Sequence, residues 1–288
     1  MLVINSFFRT GSTALSWAIT SAYRDKGKIL VEPLLHPQNP NDEIEALRKR
    51  TQFNNTNKSI DDLADLCDYF DSLLVDGCLG YKEMGIAYLA PVVEASCLGS
   101  IFTCRDLWPC ITSQIQRNFH LWDWESHFPG LLCMEFQDGM QYLIKKCDDL
   151  FPSPYHLMVR AWLFHTYYAI YYRNENYTKL VWIEDLDDTV VEVADYIRDI
   201  LGPETCGSLE EHILHPQGWY PELSEGIEYW WKPKEARTSE SQFTNADLDD
   251  SMFAFITSCQ SNMELYTNPI LSEILGHLGS NKWNESQH

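Results

Sequence analysis

Positive charge is what this 288-residue chain has least of: 21 Lys and Arg stand against 42 Asp and Glu, a formal net charge of −21. That acidic excess argues against general nucleic-acid binding and against an anionic membrane surface, since both need a cationic face. No apolar run approaches the ~20 residues of a membrane-spanning helix, so no membrane insertion is expected. The nine cysteines form no CxxC pair, and their scatter suits neither a metal site nor a disulfide framework. Met1-Leu2-Val3-Ile4 lacks the basic segment and the length of a signal peptide. Reduced thiols and a cytoplasmic location are therefore expected. Internal repeats and a clear interdomain linker are also missing, and residues 1–288 are expected to form one domain.

What is present alternates. Short apolar runs at 2–8, in "KILVEPLLHP", in "GCLGYKEM", in "GSIFTC" and in "TKLVWIEDL" read as strands. Helical spacing follows at 14–24, 38–60 in part, 61–74, 86–96, after Arg105, at 136–149, at 155–173 and up to Gly202-Pro203. This predicts an α/β fold, a three-layer P-loop-like arrangement with a central parallel sheet flanked by helices. The region 203–288 is expected to be a mostly helical C-terminal extension. In such folds ligands sit beyond the carboxyl ends of the strands. The loop after residue 8, Glu32 and Arg105 all fall at those ends.

The stretch "INSFFRTGSTALSW" carries the first site. A loop leaving a strand and opening a helix aims backbone N–H groups at whatever lies there, and the helix dipole favours an anion. Gly11 permits close approach, Ser12 and Thr13 add hydroxyls, and Arg9 adds a fixed charge. An ATP-type loop reads G-x-x-x-x-G-K-[ST], and both the first Gly and the Lys are missing here. The structural alternative is a strand–turn–helix junction in which Thr10 caps the helix.

A second cluster lies in "SIFTCRDLWPCITSQIQR". Arg105 ends a strand, and Ser113, eight residues on, returns along the following helix toward the same crevice. The pair reads as an anion site separate from the first loop. A surface ion pair of Arg105 with Asp106 is the alternative.

These segments resemble a known family. "FFRTGST" before a helix is similar to the 5′-phosphosulfate loop of sulfotransferases that use 3′-phosphoadenosine-5′-phosphosulfate (PAPS). "IFTCRDLWPCITS" resembles their 3′-phosphate motif, with Arg105 and Ser113 at the matching positions. "VWIEDL" before a helix ending in "LG" resembles the strand and helix that close the family's core. "VEPLLHP" is similar to the Glu-Pro segment of the carbohydrate- and glycolipid-sulfating branches. Arg9 departs from the Lys of the cytosolic small-molecule branch. Past residue 203 only "KPKEARTSESQ" is similar to the late donor-covering loop, which would place Lys232, Lys234 and Arg237 over the donor.

The resemblance implies transfer of a sulfuryl group from PAPS to a hydroxyl, leaving 3′-phosphoadenosine-5′-phosphate (PAP), with no metal. Arg9, Thr10, Gly11, Ser12, Thr13, Arg105, Ser113 and Arg237 would bind the donor. Arg9 would also stabilise the leaving charge, and Glu32 would serve as general base, with His36 as the other candidate. The acceptor would be a hydroxyl-bearing small molecule, sugar, glycolipid or carrier-bound group. Another P-loop-type transferase, such as a nucleotide or small-molecule kinase, is the alternative, as is a non-catalytic PAP/PAPS-binding protein.

Weaker patterns favour structure over chemistry. His212 and His215 in "EEHILHP" have no evident third metal ligand and read as a solvated face. "FHLWDWESHF" could stack a sugar, cover an apolar acceptor or pack an irregular lid. "VRAWLFHTYYAIYYR" is aromatic on nearly every face and reads as core, with substrate contact by His165 or Tyr168 as the alternative.

Overall fold

The computed structural model describes residues 1–37, 41–54, 60–73, 77–89, 98–105, 107–115, 119–134, 144–145, 148, 155–171, 173–174 and 176–215. Five strands, β1 (Leu2–Ser6), β2 (Lys28–Val31), β3 (Cys78–Met84), β4 (Gly99–Cys104) and β5 (Thr178–Trp182), form one sheet. Every pairing is parallel, and the order is β2-β3-β1-β4-β5. The central β1 and β4 are buried throughout, so apolar residues face both sides of the sheet, and the polar Asn5, Ser6, Ser100 and Thr103 are buried with them.

Helices cover both faces. On one lie α1 (Ser12–Ala22) and, from later in the chain, α6 (Leu186–Leu201) and α7 (Leu209–Leu214). Their apolar sides meet Leu2, Ile4, Ile29, Ile101 and Val181 of the sheet. The other face holds α2 (Asp42–Thr51), α3 (Ile60–Ser72), α4 (Leu107–Ile115) and α5 (Tyr155–Tyr171) over Val3, Tyr81 and Phe102. The alternation of Leu2 and Ile4 against Val3 is the strand period of two. In α6 the buried residues Leu186, Val190, Val193, Ala194 and Ile197 recur at helical spacing. Gly202, at φ 76, ends that helix by donating its N–H to Arg198 O at 2.7 Å.

The expected elements that fall on described residues are present, with shifted ends. β1 stops at Ser6 rather than residue 8, because Phe7 and Phe8 belong to the turn that follows. The expected helix at 86–96 starts as a short 3-10 turn, Ala87–Leu89, and its remainder lies outside the described residues. Most of 136–149 and all of 216–288 lie outside them too, and with them Lys232, Lys234 and Arg237. His212 is buried, not solvated: it packs in α7 with Nε2 2.7 Å from Cys206 O. No described helix is long and apolar enough to cross a membrane.

This strand order creates a particular crevice. The chain leaves β1 toward β2 and β3 on one side, and leaves β4 toward β5 on the other. The connections out of β1 and β4 leave in opposite directions, so the neighbouring carboxyl ends of these two strands form the topological switch point, the place where ligands of such sheets bind.

Candidate functional site

Both arginines stand at that crevice. Arg9 follows β1 through the turn Phe7-Phe8, and Arg105 directly follows β4. The turn is held by Thr10, whose hydroxyl donates to Phe7 O at 2.8 Å and lies 2.8 Å from the Thr103 hydroxyl on β4. Thr10 is thus buried and bolts the loop to the neighbouring strand. It does not cap α1. The N-cap is Gly11, at φ 72, which has no side chain to cap with, and the first turn carries no acidic residue. A helix start left in that state has positive backbone groups facing the crevice.

Gly11 also leaves room for a neighbouring side chain. A Cβ there would lie 2.5 Å from Ile183 Cδ1, in the turn that follows β5. Ser12 is buried at the head of α1, where its carbonyl accepts the Ser16 hydroxyl at 2.8 Å, and Thr13 is partly exposed.

The two motifs that read as separate anion sites meet in space. Arg9 Nε donates to Ser113 Oγ at 2.8 Å, and Arg105 Nη1 donates to Arg9 O at 3.2 Å. Ser113 thereby contacts the first arginine as well as sharing a motif with the second. Arg105 pairs with Glu184, Nε to Oε1 at 3.6 Å, with the two side chains only 12 % and 9 % exposed. Its backbone carbonyl accepts the Trp162 indole N–H at 2.8 Å. Asp106, the partner considered from sequence, lies outside the described residues.

Two neighbouring groups are kept neutral, Cys110 and His165. Burial pushes the Cys110 thiol up to about 12, and the thiol donates to Phe8 O at 3.0 Å. Burial likewise lowers His165 to about 4, where its Nε2 lies 2.9 Å from Thr103 O. Phe8 makes edge contacts with Phe119, Trp122, Trp124 and Phe128, so part of "FHLWDWESHF" walls the loop on its apolar side.

Glu32 sits farther along the same edge, after β2, with β3 between it and β1. Its backbone is left-handed at φ 50, directly before Pro33. That conformation is pinned by Glu32 N–H to Lys82 O and His36 N–H to Glu32 O, both 2.7 Å, and by the Tyr69 hydroxyl to Pro33 O at 2.6 Å. The carboxylate is held by the Lys82 ammonium, while His36, 72 % exposed, approaches its other oxygen at 3.6 Å.

Lys82 and Glu83 were not singled out from sequence. Both are buried on β3, and by strand alternation they point to opposite faces. Glu83 accepts the Leu34 N–H at 2.7 Å and the Met84 N–H at 3.0 Å. Burial first, and the Glu32 carboxylate second, push Glu83 up to about 8. The signal was available: two ionisable residues near the end of a buried parallel strand must be paired or neutralised.

Two of these residues share an unusual feature. Among the described residues three non-glycines adopt positive φ, and they are Arg9, Glu32 and Phe53. Such strain persists where the surroundings over-determine it, and it gathers at functional sites.

No family model and no curated protein matches the chain. Among solved structures it is similar to the sulfotransferase domain of the Synechococcus PCC 7002 olefin synthase. The identity is 13 % and the TM-score 0.43, over 86 % of this chain and 90 % of that one. Function does not follow from such a likeness and rests on the site.

Proposed function

We propose that this protein is a sulfotransferase that moves a sulfuryl group from PAPS to a hydroxyl acceptor. The observation that supports this best is the convergence of Arg9, Arg105, Ser113 and the glycine-capped start of α1 at the carboxyl ends of β1 and β4. In a chain of net charge −21, two arginines linked through loop contacts at a switch point form a local site for a multiply charged anion. The residues fit a phosphosulfate and a second phosphate, because two guanidinium groups, a hydroxyl and backbone amides are the donors such groups use.

Arg9, Gly11, Ser12 and Thr13 would hold the 5′ side, with Thr10 fixing the loop that presents them. Arg105 and Ser113 would hold the 3′-phosphate. The donor supplies an activated sulfuryl group on a good leaving phosphate. The protein's own task is alignment and charge stabilisation, as in phosphoryl transfer. Arg9 offsets charge on the leaving side, since a guanidinium stays protonated. Glu32 takes the acceptor proton, and Lys82 orients its carboxylate.

Calorimetric titration with PAP, ADP and ATP-Mg tests this directly. Binding of PAP well above ADP is expected. Preference for ATP-Mg would return the loop to a kinase role, and no nucleotide binding would make the arginine cluster structural.

A further inference from the structure

The segment Ile183-Glu184-Asp185, a 3-10 turn after β5, touches both halves of the site. Ile183 fills the space that the missing Gly11 side chain leaves, and Glu184 faces Arg105. Arg9 and Arg105 bring two positive charges to the carboxyl ends of β1 and β4, and Glu184 is a nearly buried carboxylate set against Arg105. Its 3.6 Å contact is longer than a hydrogen bond, so the pair is held by charge more than by directed bonding.

We infer that Glu184 is the resident counterion of Arg105, occupying in the nucleotide-free protein the charge that a 3′-phosphate takes up on binding. This rests on the assignment of Arg105 to that phosphate. A buried arginine without its carboxylate is costly, because the charge stays desolvated and uncompensated. Glu184 removes that cost in the free protein, and the incoming phosphate must compete with it. The carboxylate therefore sets a charge threshold: a dianionic phosphate displaces it, whereas a ribose hydroxyl at the same place does not.

The thermodynamic signature is specific. Removing the carboxylate raises the free energy of the free protein more than that of the nucleotide complex, so a destabilised variant binds its ligand more tightly. In full-length Glu184→Gln the unfolding midpoint without nucleotide is expected to fall. PAP affinity should rise about tenfold, within the usual span of coupling between linked events. ADP, which lacks the 3′-phosphate, should change much less. Glu184→Asp keeps the charge but withdraws it by one methylene, and should give a smaller rise in PAP affinity if the Gln variant fails to fold. In an Arg105→Gln background the Glu184 substitution should no longer affect PAP. A PAP/ADP ratio in Glu184→Gln equal to or below the wild-type ratio would overturn the counterion role, even with a lowered midpoint. A wild-type protein that does not prefer PAP over ADP would instead overturn the assignment of Arg105, and this inference with it.

Discussion

Arg9 and Glu32 have little in common as side chains, yet each occupies a left-handed backbone conformation that ordinary residues avoid. Each costs on the order of 1–3 kcal/mol, met by the Thr10–Thr103 contact in one case and by the bonds to Lys82 and Tyr69 in the other. On the proposed function, this fixed backbone would hold Arg9 and Glu32 in place before substrate arrives. Arg9→Ala is expected to cost on the order of 3 kcal/mol of transition-state stabilisation, the usual loss for one such donor. Glu32→Gln should lower turnover about 10²- to 10⁴-fold with donor binding unchanged. Single-turnover kinetics with PAPS and a screened hydroxyl acceptor, beside PAP titration, separates the two effects. Near-wild-type turnover in Glu32→Gln would pass the base role to His36.

The elements that carry these residues are bound together at one edge by small contacts. The loop after β1 depends on Gly11, which the helix start needs at φ 72 and which Ile183 fills from the turn after β5. Gly11→Ala therefore meets two obstacles, a left-handed alanine and a 2.5 Å approach to the Ile183 side chain. A loss of about 1–3 kcal/mol in chemical denaturation is expected, with weaker nucleotide binding as the loop shifts. Ile183→Ala in the same background should restore part of the stability by removing the clash. Restoration to the full wild-type value would mean that the backbone conformation itself costs nothing there.

For the molecule as a whole, the buried carboxyl of Glu83 makes stability depend on pH in an unusual direction. Its ordinary value of 4.5 is raised to about 8 by burial and by Glu32, so the folded protein keeps a proton that the unfolded chain has lost. Between those values the folded state binds more protons, and stability falls as pH rises. The contribution is complete below pH 4.5 and lost as pH passes about 8. His165 acts in the opposite sense, since burial lowers it from 6.5 to about 4 and its effect ends above pH 6.5. Thermal midpoints of wild type and Glu83→Gln between pH 6.5 and 8.5 therefore isolate Glu83. The wild type is expected to lose ground against the variant as pH rises, and a constant difference would show that Glu83 is ionised throughout.

The class of fold and the positions of the five described strands could be read from the chain, because hydrophobic period is a local property and a strand buried on both faces is apolar along much of its length. The loop at Arg9, the acid at Glu32 and the arginine at Arg105 were legible for the same reason: each lies where an apolar run stops. Relations between those places were not legible. That Arg9 bonds Ser113, that Thr10 serves β4 instead of capping α1, and that Glu184 reaches Arg105 all depend on the order β2-β3-β1-β4-β5. Strand order is decided by long-range packing of helices on the two faces. Residues some eighty to a hundred positions apart become neighbours only once that packing is complete, and the charge around each arginine is set only then.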